Sequence, residues 1–143
     1  MKTPITACLL ALVLAACAVT PDNERTTSTG KVPAARIYIK SMTASAPDLA
    51  EVQFSRTSTF LYGNSPQELA INDVVLAQIW SGEQISIWLK PGTSYTFSVK
   101  PVHSLNTPAY PQTRQITLDL KAVGVYKVRI SANLEGPTLQ QEN

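Results

Sequence analysis

The sequence predicts an all-β protein, a single β-sandwich of about seven or eight strands, and three observations carry that expectation. Apolar residues recur at every second position through most of the chain, which is the period of a strand with one buried face. Turn chemistry interrupts the alternation every ten residues or so, at Asn72-Asp73, Trp80-Ser81-Gly82 and Lys90-Pro91-Gly92. No stretch carries a sustained helical stripe. A 44% apolar content rules out wholesale disorder, and ten prolines favour short elements joined by turns.

In order along the chain, Ile37 and Ile39 alternate with Arg36, Tyr38 and Lys40 and predict a first strand. Residues 44–52 (ASAPDLAEV) leave room for one helical turn with Asp48 near its start. Val52 and Phe54 begin the next strand, which ends at Arg56. Leu69 and Ile71, a tight turn at Asn72-Asp73, and Val74 onward to Ile79 form a hairpin. Ile85, Ile87 and Leu89 share one face, Pro91-Gly92 turns the chain, and Tyr95, Phe97 and Val99 return. Ile116, Leu118 and Leu120, then Tyr126, Val128 and Ile130, supply a closing pair. Such spacing is that of a sandwich.

The first sixteen residues follow a different logic. Lys2 supplies a positive start, and residues 5–16 (ITACLLALVLAA) form a charge-free run too short to span a hydrocarbon core of ~30 Å. Leu14-Ala15-Ala16-Cys17 at its end resembles the bacterial lipobox. The resemblance implies that signal peptidase recognises Leu14, Ala15 and Ala16, that the Cys17 thiol carries diacylglycerol, and that its freed amino group takes an acyl chain. An ordinary secretory signal cut after Ala18 is the alternative, since Ala16-Cys17-Ala18 fits a small-x-small pattern. Acyl chains at ~0.8 kcal/mol per buried methylene would make the membrane the first partner. Ala18, where an Asp would retain the protein at the inner membrane of an enteric host, implies the outer membrane, with the body facing the periplasm. Cys8 leaves with the signal, so the mature chain has no intramolecular disulfide.

The expected organisation is therefore a signal peptide at 1–16, a lipidated N-terminus and flexible tether at 17–33, a β-sandwich domain at 34–135 and a disordered tail at 136–143. The tether (AVTPDNERTTSTGKVP after the cysteine) has hardly a large apolar side chain to offset ordering entropy. Fully extended, it reaches at most ~50 Å.

Residues 52–99 resemble a group of small lipoprotein β-sandwich domains, on a strand ending in Arg56, a loop with Gly63, the Asn72-Asp73 turn, Gly82, and a strand-Pro91-Gly92-strand unit. The later part also resembles the PEGA module, although Asn72-Asp73 stands where that module has Asp-Gly. The resemblance implies an envelope-associated domain of immunoglobulin-like or transthyretin-like shape, and such shapes host many roles.

The chemistry the residues offer is sparse. A net charge of +2 with no basic run gives no footprint for nucleic acid. The single histidine, His103, lies beside Ser104 in the loop at 101–111, and one histidine with Cys17 committed to lipid gives no metal site. No nucleophile elbow, phosphate loop or calcium loop is present. Asp48, Glu51, Glu68, Asp73, Glu83, Asp119 and Glu135 are dispersed, mostly at turns or outward positions. A hydrolase built from two of them in space therefore ranks last among the functions.

Arg56 at a strand end reads first as a structural ion-pair partner and second as a contact for an anion. Trp80, Trp88 and Tyr110 are candidates for an aromatic contact patch, against simple packing on the second face. The sequence thus points to an outer-membrane lipoprotein that is a non-enzymatic binding or structural component of the envelope. The alternatives are a small-ligand or inhibitor-type binder and an accessory subunit, with an envelope protein as partner, of a secretion or envelope assembly.

Overall fold

The structure, a computed structural model, describes residues 30–58, 63–102 and 113–142. The signal, Cys17, most of the tether, His103, Ser104 and Tyr110 lie outside the described residues. Within them the chain is a two-layer β-sandwich. Nine strands run in order: β1 (Gly30–Lys31), β2 (Ala50–Arg56), β3 (Gln67–Ile71), β4 (Val74–Ile79), β5 (Glu83–Leu89), β6 (Thr93–Pro101), β7 (Arg114–Leu120), β8 (Val125–Asn133) and β9 (Gly136–Glu142). One sheet has the order β1-β5-β2-β8-β9 and the other β4-β3-β6-β7.

The alternation in the sequence is what builds the layers. Along β2, Ala50, Val52, Phe54 and Arg56 point inward while Glu51, Gln53 and Ser55 are part-exposed. Ile85, Ile87 and Leu89 of β5 do the same beside them, with Val52 opposite Ile87 and Phe54 opposite Ile85. From the facing sheet come Leu69, Ile71, Leu76, Ile79, Phe97, Val99, Leu118 and Leu120. Phe54 and Phe97 meet edge-to-face across the layers with centroids 4.9 Å apart. Each such buried side chain contributes about 1.5–3 kcal/mol.

The turns match their residues. Asn72 and Asp73 both have positive φ, 46° and 66°, as a two-residue hairpin turn between right-twisted strands requires. The Asn72 side-chain oxygen also accepts from the Thr96 backbone, which fastens this turn to β6. Gly92, at φ 78°, turns the chain from β5 to β6.

Strands β2 to β7 are wired as in an immunoglobulin-like sandwich. β2 pairs β5 antiparallel, as strand B pairs strand E in that fold, and the facing sheet β4-β3-β6-β7 repeats the order C′-C-F-G. β8 then pairs β2 in parallel on its other side, and β9 extends that sheet.

Four local expectations are corrected. Residues 36–40 are no strand: a 3-10 turn at Ala34–Arg36, a single bridge from Ile37 to Ala77 and a second 3-10 turn at Lys40–Thr43 replace it. The alternation there has a different cause. This segment leaves β5 at Val32, touches β4 through Tyr38 N to Leu76 O (2.8 Å), and packs its second turn back against β5. Ile37, Ile39 and Met42 thereby cap the open side between the sheets.

Residues 44–52 hold no helical turn; Leu49 N donates to Ala46 O in a turn around Pro47-Asp48, and β2 follows. The folded body begins before residue 34, since Gly30–Lys31 pairs β5 in parallel and Val32 is buried in the core. The tail is not disordered over 136–142: β9 pairs β8 along its whole length, from Asn133 opposite Gly136 to Lys127 opposite Glu142. Its composition is polar, yet Gly136 and Pro137 are buried and Leu139 packs on the core. Backbone pairing to β8 supplies what the side chains lack.

Candidate functional site

Two features stand out from an otherwise apolar sandwich. The first is a polar layer at the core end where β2 finishes and β3 and β5 begin. Strand parity places it there: Arg56 continues the inward row of Val52 and Phe54, Gln67 that of Leu69 and Ile71, and Glu83 that of Ile85 and Ile87. Arg56 is 3% exposed and Glu83 1%.

Arg56 Nη1 donates to the backbone carbonyls of Ser65 (2.8 Å) and Ile79 (2.7 Å). Arg36, from the segment that closes the open side, donates Nη1 to Glu83 Oε2 at 2.8 Å and Nη2 to Oε1 at 2.5 Å. The Trp80 backbone N–H gives Glu83 Oε2 another bond, at 2.8 Å. Burial lowers the Arg56 guanidinium from its ordinary value to about 10, and the negative charge of Glu83 pulls in the opposite direction. Arg56 is thus a cation at neutral pH, in a site made to hold it.

The expectation that the carboxylates are dispersed at outward positions fails for Glu83, which is buried between cations. Glu68 pairs Lys100 at 2.9 Å, Glu135 approaches Arg114 at 3.9 Å, Glu142 pairs Arg129, and Asp119 accepts from Ser94. Among the described residues no group of three or more His, Cys, Asp or Glu is placed to hold a metal ion.

The second feature is an open groove of about 510 Å³ on the outer face of the five-stranded sheet. Its floor is the outward row of β5, Gln84, Ser86 and Trp88, a length of about 13 Å at strand rise. Gln53 and Glu51 of β2 flank that floor, opposite Ser86 and Trp88 in register. Lys31 and Thr43 stand on the other side, because β1 covers only the start of β5 before the chain turns away. Gln53 Nε2 donates to Glu51 Oε1 at 3.0 Å, which fixes both side chains.

Trp80 and Trp88 do not form one patch. Trp80 sits in the turn into β5, with Glu83 N donating to its carbonyl, whereas Trp88 is near the far end of the strand, about 17 Å on. Both are half-buried, but only Trp88 lines the groove. Sequence reasoning missed Arg36, Gln67 and the groove's polar residues. Parity alone would have placed Gln67 and Glu83 inside; nothing local marks Arg36, whose partner lies 47 residues away.

No family model matches the chain, and no curated protein or solved structure matches it.

Proposed function

We propose that this chain is a lipid-anchored, non-enzymatic binding component of the bacterial envelope, attached to the outer membrane through acylated Cys17, with the groove beside Trp88 as its contact surface. The observation that carries the anchor is Leu14-Ala15-Ala16-Cys17 at the end of a short charge-free run that follows Lys2. The place where the chain enters the sandwich supports the arrangement. It does so at β1, whose Lys31 lines the groove, so the thirteen residues from Cys17 to β1 set the groove at most about 45 Å from the lipid surface.

A binding role is favoured over catalysis by the state of the ionisable groups. Glu83 is occupied by Arg36 and the Trp80 amide, and several outer carboxylates face cations. The groove favours a small-ligand role over a purely structural one, since its size falls in the ~300–1,000 Å³ span of ligand sites.

Intact mass spectrometry of the membrane-extracted protein tests the anchor. A mass that starts at Cys17 with added acyl groups, and a Cys17→Ala chain that leaves the membrane fraction, are expected. An unmodified chain beginning at Val19 would overturn the anchored role.

A further inference from the structure

The chemistry of the groove specifies its ligand further, on the basis of the contact surface proposed above. We infer that the groove on the outer face of β5 and β2 binds a neutral glycan, with one pyranose ring stacked on Trp88 and its hydroxyls bonded by Gln53, Gln84, Ser86 and Glu51.

The lining has the two kinds of surface a sugar ring presents. A pyranose has an apolar face of axial C–H bonds, and the electron-rich face of an indole attracts those weakly positive hydrogens. Its rim is a ring of hydroxyls, each both donor and acceptor. Gln53 and Gln84 amides supply donors and acceptors together, Ser86 and Thr43 hydroxyls do the same, and Glu51 accepts. Planar side chains anchored on a sheet, with the Gln53 to Glu51 bond formed in advance, lose little freedom when the ligand arrives.

Charge points the same way. The lining holds one cation, Lys31, and one anion, Glu51, at opposite ends: Lys31 is beside Gln84 and Glu51 beside Trp88. An anionic ligand seated on Trp88 would meet the Glu51 carboxylate, and a cationic one seated at Gln84 would meet Lys31. The site suits a ligand without net charge. It also lies open along the sheet face, so a glycan longer than the groove can pass through it.

A protein segment added to the free edge of β5 is the competing occupant. It is disfavoured because the second 3-10 turn, Lys40–Thr43, packs against that strand and stands in its path.

The test uses the full mature chain, purified in a detergent that has no sugar headgroup, and three probes: N,N′,N″-triacetylchitotriose, cellotriose and maltotriose. A Trp80→Phe chain leaves Trp88 as the only indole. At least one probe is expected to shift its emission saturably below about 10 mM, a range normal for weak ligands. Trp88→Ala, in the Trp80-containing chain and read by calorimetry, is expected to weaken that binding at least tenfold, and Gln53→Ala by several-fold. Trp88→Tyr, which keeps an aromatic face, retains most of it, and unchanged circular dichroism excludes loss of fold.

No shift with any of the three sugars, or sugar binding that survives Trp88→Ala, overturns the inference. Saturable binding of inorganic phosphate or of an extended peptide at Trp88 in place of sugars also overturns it. The anchor is judged separately: acylated Cys17 with no sugar bound removes only the glycan, and sugar bound by an unacylated chain removes only the anchor.

Discussion

Arg36 holds Glu83 by a two-point ion pair, Nη1 to Oε2 at 2.8 Å and Nη2 to Oε1 at 2.5 Å, and so ties the segment closing the sandwich's open side to the first residue of β5. Glu83 is 1% exposed and the Arg36 side chain 23%, so water screens the pair little. The same arginine donates to the carbonyl of Gln78 at 3.1 Å, which brings β4 into the arrangement. One carboxylate thereby organises the closing segment, β4 and β5.

Glu83→Ala is therefore expected to be among the most damaging single changes outside the apolar core. It leaves Arg36 and Arg56 without their shared anion and the Trp80 amide without an acceptor. Removing one member of a buried charge cluster costs about 3–5 kcal/mol. Urea unfolding followed by circular dichroism should show the midpoint fall accordingly, and a loss below 1 kcal/mol would contradict this account.

The burial of Arg56 sets the sign of a pH dependence in stability. Its folded value of about 10 lies below that of a solvated guanidinium, so the unfolded chain binds this proton more tightly. The burial penalty is fully present below about pH 10 and is relieved as pH rises above the folded value toward that of the solvated group. Compared with Arg56→Met, the wild-type chain should hold a constant stability difference from pH 7 to 9. It should then gain on the variant by about 1 kcal/mol at pH 11. Paired urea titrations at those pH values measure it, and a shift in the variant's favour would reverse the assignment.

Gln67 offers a gain. Both polar atoms of its side chain are buried with no hydrogen-bond partner, and the residue is 1% exposed. Gln67→Met keeps length and volume and removes that cost, so a rise in stability of about 1–2 kcal/mol is expected. Thermal melting reads it directly. A fall in Tm would mean that the amide is satisfied by a buried water.

The sheets were legible in the sequence because each strand buries one face, and a side-chain period of two is then imposed on the residues. That is why Val52, Phe54, Ile85, Ile87, Phe97 and Leu118 sit where the alternation put them. The same rule extends to polar residues, and it would have placed Arg56, Gln67 and Glu83 in the core. What hid Glu83 was the habit of assigning carboxylates to the surface, which holds only where no cation meets them. Ile37 and Ile39 misled in the opposite sense, because burial beside two sheet edges produces alternation without a ladder. The groove was illegible: it needs the register of β2 against β5 and the point where β1 ends, and neither is a local property.

The C-terminal strand gives the sharpest contrast with composition. Residues 136–142 (GPTLQQE) have one large apolar side chain, yet β9 pairs with β8 over seven residue pairs, and Ser131 and Thr138 hydroxyls join across the ladder. Pro137 fits because β9 is the edge of its sheet, where a missing N–H costs nothing. Removing residues 136–143 would strip these partners from β8 and uncover the layer that β9 lays over β6 and β7. The truncated chain should lose most of its stability, and where it still folds, the amides of β8 that face β9 should exchange with deuterium far faster than those facing β2. A disordered tail predicts unchanged stability and unchanged exchange. Hydrogen exchange on the intact protein separates the two directly, since slow exchange in the β9 amides that face β8 requires the ladder.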